Sequence, residues 1–356
     1  MPKGLPPQLE LELPGTGAPW PYPPEDLYFA SGCNHAGEIR GFFEAGYNVG
    51  VSAAEIGDEA EAELEEQARL LAGGYLENGT PVPPIRLLFG DTGAFSEVSF
   101  DTGRPEVAAP ISDAEWRRRL DVLLRMADHW GSGFFMVAPD RVASQEETLA
   151  RLERYRDYVV RAHEFGANII VPVQHGALHM LDFWREAVAV LDLPHRNEDM
   201  PDGGLIAGIT GNKDATSEEQ LELFAMGRAG DAAEVGGARF FIERPPLMFH
   251  LLGCGPRNPR YVLLARAVLR ACPWAAIFSD SCRLTAMTGR PGRDGRRTPR
   301  LFTAARDEVL GEGEVQGTAA VKAEALSRAL QREAMERYAQ AFRRGWRPAI
   351  HPKGKP

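Results

Sequence analysis

The chain has 356 residues, enough for one large α/β barrel or for two domains. Its hydrophobic content of 44% and charged content of 25% are ordinary for a soluble globular protein. The balance of 40 basic against 50 acidic residues, −10 at pH 7, excludes a molecule that is basic overall. That average hides an asymmetry. Seven acids crowd between Glu55 and Glu66, while Arg283, Arg290, Arg293, Arg296, Arg297 and Arg300 lie together with only Asp294 opposing them. The four cysteines, Cys33, Cys254, Cys272 and Cys282, are widely spaced and form no Cys-x-x-Cys pair, which fits a reducing compartment and offers no zinc site. No charged-then-apolar signal pattern opens the sequence, and no apolar run approaches the length of a membrane span. The expectation is a cytoplasmic protein with no membrane partner, no cofactor and no metal.

Residues 1–26 hold eight prolines and read as an extended arm. Tyr28 to Cys33 reads as a first strand, followed by a loop with Asn34 and His35, and Gly46 to Val51 as a second. The acidic segment from Ala54 to Ala72 has helical spacing of apolar residues. The third strand lies in the run Ile85 to Phe89, ending in Gly90 and Asp91. A helix capped by Ser112 or Asp113 runs to about Trp130. The fourth strand covers Phe134 to Val137, and a helix from about Ser144 to Phe165 follows, with Glu146 and Glu147 where the helix dipole favours acids. The fifth strand ends at Gln174, and a helix covers about Ala177 to Leu191. Leu205 to Gly211 is the sixth strand with its turn, and Ser217 starts another helix. Phe240 to Ile242 and Leu247 to Leu252 compete for the seventh, with the second preferred. A helix from about Pro259 to Ala271 leads into the eighth, Ala275 to Phe278. One long helix is expected from about Gly317 to Gly345.

Eight strands alternating with helices argue for a (β/α)8 TIM barrel over residues 27–305, with the Pro-rich arm before it and a helical extension over 306–356. No Gly-x-Gly-x-x-Gly follows an early strand, which lowers a dinucleotide-binding alternative. Four apolar runs end in a polar side chain: Asp91, Asp140, Gln174 and Asp280. In a barrel these strand ends share one mouth, where catalytic residues sit. Asp91 has a plainer reading as a helix N-cap, and Asp280 as a turn former.

The same stretches resemble the tRNA-guanine transglycosylase superfamily. Asp91-Thr-Gly-Ala-Phe95 is similar to the motif after the third strand of its bacterial enzymes, Asp-Ser-Gly-Gly-(Phe/Tyr)-Gln. Asp140 matches an acid after the fourth, and Val173-Gln174-His-Gly176 a Val-Gln-Gly turn. Gly208-Ile-Thr-Gly211 resembles a Gly-Gly-Leu turn, His250-Leu-Leu-Gly-Cys-Gly255 a His-Tyr-Leu-Met-Gly-Val-Gly segment, and Phe278-Ser-Asp280-Ser-Cys282 the nucleophile motif Phe-Asp-Cys. The set spans roughly residues 28–290. Thr92 stands where the family has Ser, Ala94 where it has Gly, and one residue separates Phe278 from Asp280. Members acting on tRNA carry a Cys-x-Cys-x-x-Cys zinc site with a later His, and no cysteine follows Cys282 here. The zinc-free deazapurine DNA-modification transglycosylases are the nearer resemblance, also through Pro139-Asp140-Arg-Val and Gln145-Glu-Glu-Thr148.

That resemblance implies exchange of guanine for a 7-deazaguanine such as preQ0 in DNA, with the same exchange on tRNA, or a nucleic-acid-binding paralogue without catalysis, as alternatives. Retention at C1′ needs two displacements, which puts Asp280 as nucleophile and Asp91 as acid and then base. Asp140 would accept from the purine N1–H and amine, Gln174 would donate to O6, and Thr92 and a backbone N–H at Gly208 or Ile209 would complete the pocket. Phe95, Met248 or Phe249 would stack on the base. Arg283, Arg290, Arg293, Arg296 and Arg297 would bind phosphates, their other reading being a disordered charged loop. The absence of a P-loop prompts an expectation that a separate ATPase opens the duplex. Simple hydrolytic release of the base is a further alternative. His175 and His179, four apart, permit a metal but show no third ligand and read as exposed or capping residues. His250 reads as a hydrogen-bonded core residue, and Cys282 ranks below Asp280 as a nucleophile.

Overall fold

A computed structural model describes residues 28–44, 48–73, 87–99, 106–107, 109–193, 205–211, 216–243, 247–254, 259–273 and 275–282. The Pro-rich arm, the arginine-rich segment and the C-terminal extension lie outside them. Eight parallel strands close into a barrel: β1 (Tyr28–Ser31), β2 (Asn48–Ser52), β3 (Leu88–Asp91), β4 (Phe134–Val137), β5 (Asn168–Val173), β6 (Ile206–Thr210), β7 (Met248–Leu252) and β8 (Ala276–Cys282). Each pairs with its neighbour in sequence, and β8 closes on β1, Phe29 lying opposite Asp280. This is the expected (β/α)8 fold. Between the strands run α1 (Ala36–Glu44), α2 (Asp58–Gly73), α3 (Asp113–Trp130), α4 (Gln145–Arg154), α5 (Arg156–Glu164), α6 (Met180–Leu191), α7 (Glu218–Glu243) and α8 (Pro259–Ala271). None of the described helices is long and apolar enough to cross a membrane.

The strands are apolar on both faces because both are covered. Outward residues such as Leu88, Phe134, Ile209 and Phe249 meet the helices. Inward residues form a separate core of Phe29, Phe89, Phe135, Val137, Ile170, Ile206, Ala276 and Phe278. Its rings interlock, with centroids 5.6 Å apart for Phe29 and Phe89, 5.3 Å for Phe29 and Phe135, and 4.9 Å for Phe135 and Phe278. Two glycines make room for it. A Cβ at Gly50 would stand 2.6 Å from Ser31 Oγ and 3.1 Å from the Phe89 ring, and one at Gly208 would stand 2.8 Å from Ile170 Cγ2. The barrel is thus filled by side chains, and its chemistry is confined to the strand ends.

Serine caps set two helix starts as their sequence suggests. Ser112 Oγ accepts from Glu115 N–H, and Ser144 Oγ from Glu147 N–H. The single helix expected from Ser144 to Phe165 is two helices. The chain breaks at Tyr155, whose ring stacks on Trp116 and whose hydroxyl donates to Asp113 Oδ1 at 2.7 Å. Anchoring that side chain to α3 takes its backbone out of the helical region. Phe240 to Ile242 belong to α7, in keeping with the preference for Leu247 to Leu252 as the seventh strand. The eighth strand runs past Phe278, so Asp280 is a strand residue and not part of a turn.

Candidate active site at the barrel mouth

Three carboxylates come to the C-terminal end of the barrel, Asp91 ending β3, Asp140 three residues beyond β4, and Asp280 on β8. Their surroundings differ. Asp280 is buried and carries three donors. His250 Nε2 lies 3.0 Å from Oδ1, Gly253 N–H donates to Oδ1 at 2.8 Å, and Ser31 Oγ donates to Oδ2 at 2.9 Å. These come from β7, the turn after it and β1, the two strands flanking β8.

Asp91 is partly buried. Burial lifts its carboxyl from the ordinary 3.8 to about 6; the charge of Asp280 adds to this, and N–H groups of Gly93 and Thr92 with the Arg119 guanidinium oppose it. Asp140 is buried and rises from 3.8 to about 7, through burial first and then the charge of Asp91. Two arginines stand close, yet neither neutralises these acids directly. Arg119 Nη1 donates to the carbonyls of Thr92 and Gly93 at 3.2 and 3.0 Å, and its Nε to Glu115 at 2.8 Å. Arg151 donates to the Asp140 carbonyl at 2.6 Å and to both oxygens of Glu97.

Glu97 is the hub of this side. Its side chain is fully buried, and it accepts from Arg141 at 2.6 Å, from Arg151 at 2.7 and 3.0 Å, and from Ile111 N–H at 2.8 Å. Burial alone would raise its pKa; the hydrogen bonds from Arg151, Ile111 and Arg141 outweigh that and hold it low. Glu97 closes the 3₁₀ turn Ala94–Glu97 after Asp91, and Arg141 follows Asp140, so this ion cluster ties the two acid-bearing loops together. Nothing in the local sequence marks Glu97, Arg119, Arg141 or Arg151 for this role.

The structure gives Gln174 a different task from reading O6. Its Nε2 donates to Arg141 O at 2.8 Å, Thr148 Oγ1 at 3.0 Å and Ser144 O at 3.2 Å, and its Oε1 accepts from Ala143 N–H at 2.6 Å. Ala143 holds φ of 64°, uncommon for a non-glycine residue. Gln145 returns the favour, bonding the Gln174 and Leu178 carbonyls and Leu178 N–H. The two amides lock the loops after β4 and β5 to each other.

Gly208 and Ile209 are likewise displaced from their expected role. Both lie inside β6, paired with β5 on one side and β7 on the other, so the sheet takes their backbone groups. The Ile209 side chain is buried against the helices, and the mouth position of this strand is Thr210. Thr92 is fully buried, its Oγ1 without a hydrogen-bond partner among the described residues. Phe249 packs outward and Met248 starts β7 at the far end, which leaves Phe95, 57% exposed on the turn after Asp91, as the candidate stacking ring. Asn34 is taken up by Ser52 N–H and Glu55. His175 and His179 are exposed, and the described residues contain no cluster of three metal-ligating side chains. Burial pushes the Cys254 thiol up to about 11, which disfavours a thiolate there. Arg283, Arg290, Arg293, Arg296 and Arg297, and the side chain of Cys282, lie outside the described residues.

The chain matches no family profile and no curated protein. Solved structures similar to it include oxaloacetate acetylhydrolase, at 14% identity and a TM-score of 0.36 over 89% of this chain and 94% of that one. The same enzyme with the inhibitor 3,3-difluorooxalacetate gives 0.37. A xylose isomerase-like TIM barrel/4-hydroxyphenylpyruvate dioxygenase fusion protein gives 9% identity and 0.35, over 92% of this chain and 46% of that one. Likeness at this level carries no argument about chemistry. The site has to be read from its own residues.

Proposed function

We propose that this protein is a base-exchange transglycosylase that replaces guanine in DNA by a 7-deazaguanine such as preQ0. The observation that carries the reading is the unequal treatment of three carboxylates at one barrel mouth. Asp280, oriented by three donors, serves as the nucleophile that attacks C1′. Asp91, raised to about 6, can hold a proton for the departing guanine and take one from the incoming base. Asp140 reads the purine by accepting from N1–H and the exocyclic amine, and Phe95 stacks on the extruded base. With Gln174, Gly208 and Ile209 committed elsewhere, discrimination against adenine falls mainly to Asp140, whose carboxylate would face an unmatched edge. Arg283, Arg290, Arg293, Arg296 and Arg297 supply the phosphate contacts in this reading, and a separate ATPase opens the duplex.

The test is incorporation of labelled preQ0 by the purified protein into DNA and, separately, into unmodified tRNA. Label in DNA that disappears with Asp280→Asn supports both substrate and nucleophile. Label in tRNA alone keeps the chemistry and overturns the substrate. Label in neither polymer, also on single-stranded DNA where no opening is needed, overturns the reading.

A further inference from the structure

We infer that His250 is a positioning residue that anchors one oxygen of Asp280 and leaves Oδ2 as the attacking oxygen. The identity of the reaction here rests on the transglycosylase reading; the hydrogen bond itself does not.

His250 points into the barrel from β7 and is fully buried. Its ring stacks on Phe89 with centroids 4.9 Å apart and planes 12° from parallel, and on Phe29 at 5.8 Å and 26°. The stack fixes the ring plane, and Nε2 meets Asp280 Oδ1 at 3.0 Å. Nδ1 is buried with no hydrogen-bond partner among the described residues. An imidazole in an apolar core with one nitrogen unmatched is costly, and a phenylalanine would fill the slot without that penalty. What imidazole adds is one N–H directed at the carboxylate. A proton on Nδ1 instead would strand that donor and set the lone pairs of Nε2 and Oδ1 against each other. The arrangement therefore selects the Nε2–H tautomer.

The donors are shared unequally between the carboxylate oxygens. Among the described residues, Oδ1 accepts from His250 and from Gly253 N–H, which fills both its in-plane lone pairs, and Oδ2 accepts from Ser31 alone, which leaves one open to them. In the first displacement the Oδ2–C1′ bond forms as C1′–N9 breaks, the bonding pair leaves on guanine, and Asp91 supplies the proton. Oδ1 becomes the carbonyl oxygen of the glycosyl ester and keeps both donors. In the second, the incoming base attacks C1′ while its proton passes to Asp91, and the Oδ2–C1′ pair returns to Asp280. The negative charge regained by the carboxylate appears beside two donors already in place.

Two measurements test this. On the protein alone, ¹⁵N-histidine NMR reads the His250 tautomer, its signals assigned by their loss in His250→Gln. The Nε2–H form, with shifts that move in Asp280→Asn, is expected; the Nδ1–H form, or no response to Asp280→Asn, overturns the inference. In base exchange, His250→Phe fills the aromatic slot but removes the donor, and should lower kcat by about 10²-fold with KM for the base nearly unchanged. His250→Gln keeps a donor near Nε2 and should recover most of the loss. Equal loss in both variants, or a change in KM alone, overturns it. If His250→Phe fails to fold, the glutamine variant and the spectrum still decide. If the wild-type protein exchanges no base, the transglycosylase reading fails, and the spectrum alone tells whether His250 holds Asp280.

Discussion

The two halves of the barrel mouth treat the same side chain in opposite ways. On the β7–β8–β1 side, Asp280 is met by three donors carried on the sheet and the turn next to it. On the β3–β4–β5 side, burial prevails at Asp91 and Asp140, although the N–H groups of Gly93 and Thr92 at Asp91, and Arg119 and Arg151 nearby, oppose the shifts. Those guanidinium groups are directed to backbone carbonyls, Glu115 and Glu97. One half holds an acceptor in place; the other keeps two carboxyls near the pH at which protons move. Under the proposed function these are different tasks, attack at C1′ on one side and proton transfer and base recognition on the other.

The comparison breaks most visibly if Asp280 is removed. Asp280→Asn keeps the shape and the donors but loses the proposed nucleophile, and exchange should fall by more than about 10³-fold while nucleic-acid binding persists. Label incorporation and a filter-binding titration check the pair. Retained exchange would place the nucleophile elsewhere.

Asp91→Asn should lower the rate of guanine release by about 10²–10⁴-fold. The wild-type profile sharpens this. In the proposed reaction Asp91 has to be protonated for the first displacement, so single-turnover guanine release should decline as pH rises through about 6. That limb should be missing in the residual activity of Asp91→Asn. A limb that survives the substitution belongs to another group.

Glu97→Ala attacks the other half through stability. It leaves Arg141 and Arg151 facing a buried gap, which typically costs about 3–5 kcal/mol. Urea unfolding should show this, and the KM for the base should rise with it, since the loop bearing Asp140 loses its tie. A loss in stability with KM intact would separate the ion cluster from base recognition.

How much of this was legible beforehand follows from where each signal lies. The barrel was legible because its strands are apolar on both faces and its helix starts carry serine caps. Asp91, Asp140 and Asp280 were legible because strand ends in a barrel share a mouth. Glu97 was not: its partners Arg141 and Arg151 lie 44 and 54 residues away, and nothing local marks a glutamate as buried. Gln174 was placed at the right end of its strand, but an amide bonds whatever loop lies nearest, which sequence does not specify. The turn expected at Gly208 to Gly211 rests on its resemblance to a Gly-Gly-Leu turn, whereas the strand continues to Thr210. The His250–Asp280 bond was within reach. Inward positions alternate, β7 and β8 are neighbours, and His250 pairs in register with Phe278, two residues before Asp280 on the same face.

The smallest effect expected is also one of sign. Asp140 has an ordinary value of 3.8 and about 7 in the native protein, so between these values the folded chain holds a proton that the unfolded chain has released. Stability therefore falls as pH rises across that window and stays lower above it. Glu97 runs the other way, its depressed value giving stability that is present above about 4.5 and lost as pH falls through the native value. Asp140→Asn removes only the first dependence. Its melting temperature should match the wild type near pH 4 and exceed it by several degrees at pH 8, a gain of a few kcal/mol at most. Under the proposed function base recognition should weaken in the same variant, because the amide offers a donor where the carboxylate would accept. A melting-temperature gap that stays flat from pH 4 to 8 would mean Asp140 titrates as an ordinary acid, and the contrast between the two halves of the mouth would then rest on Asp91 alone.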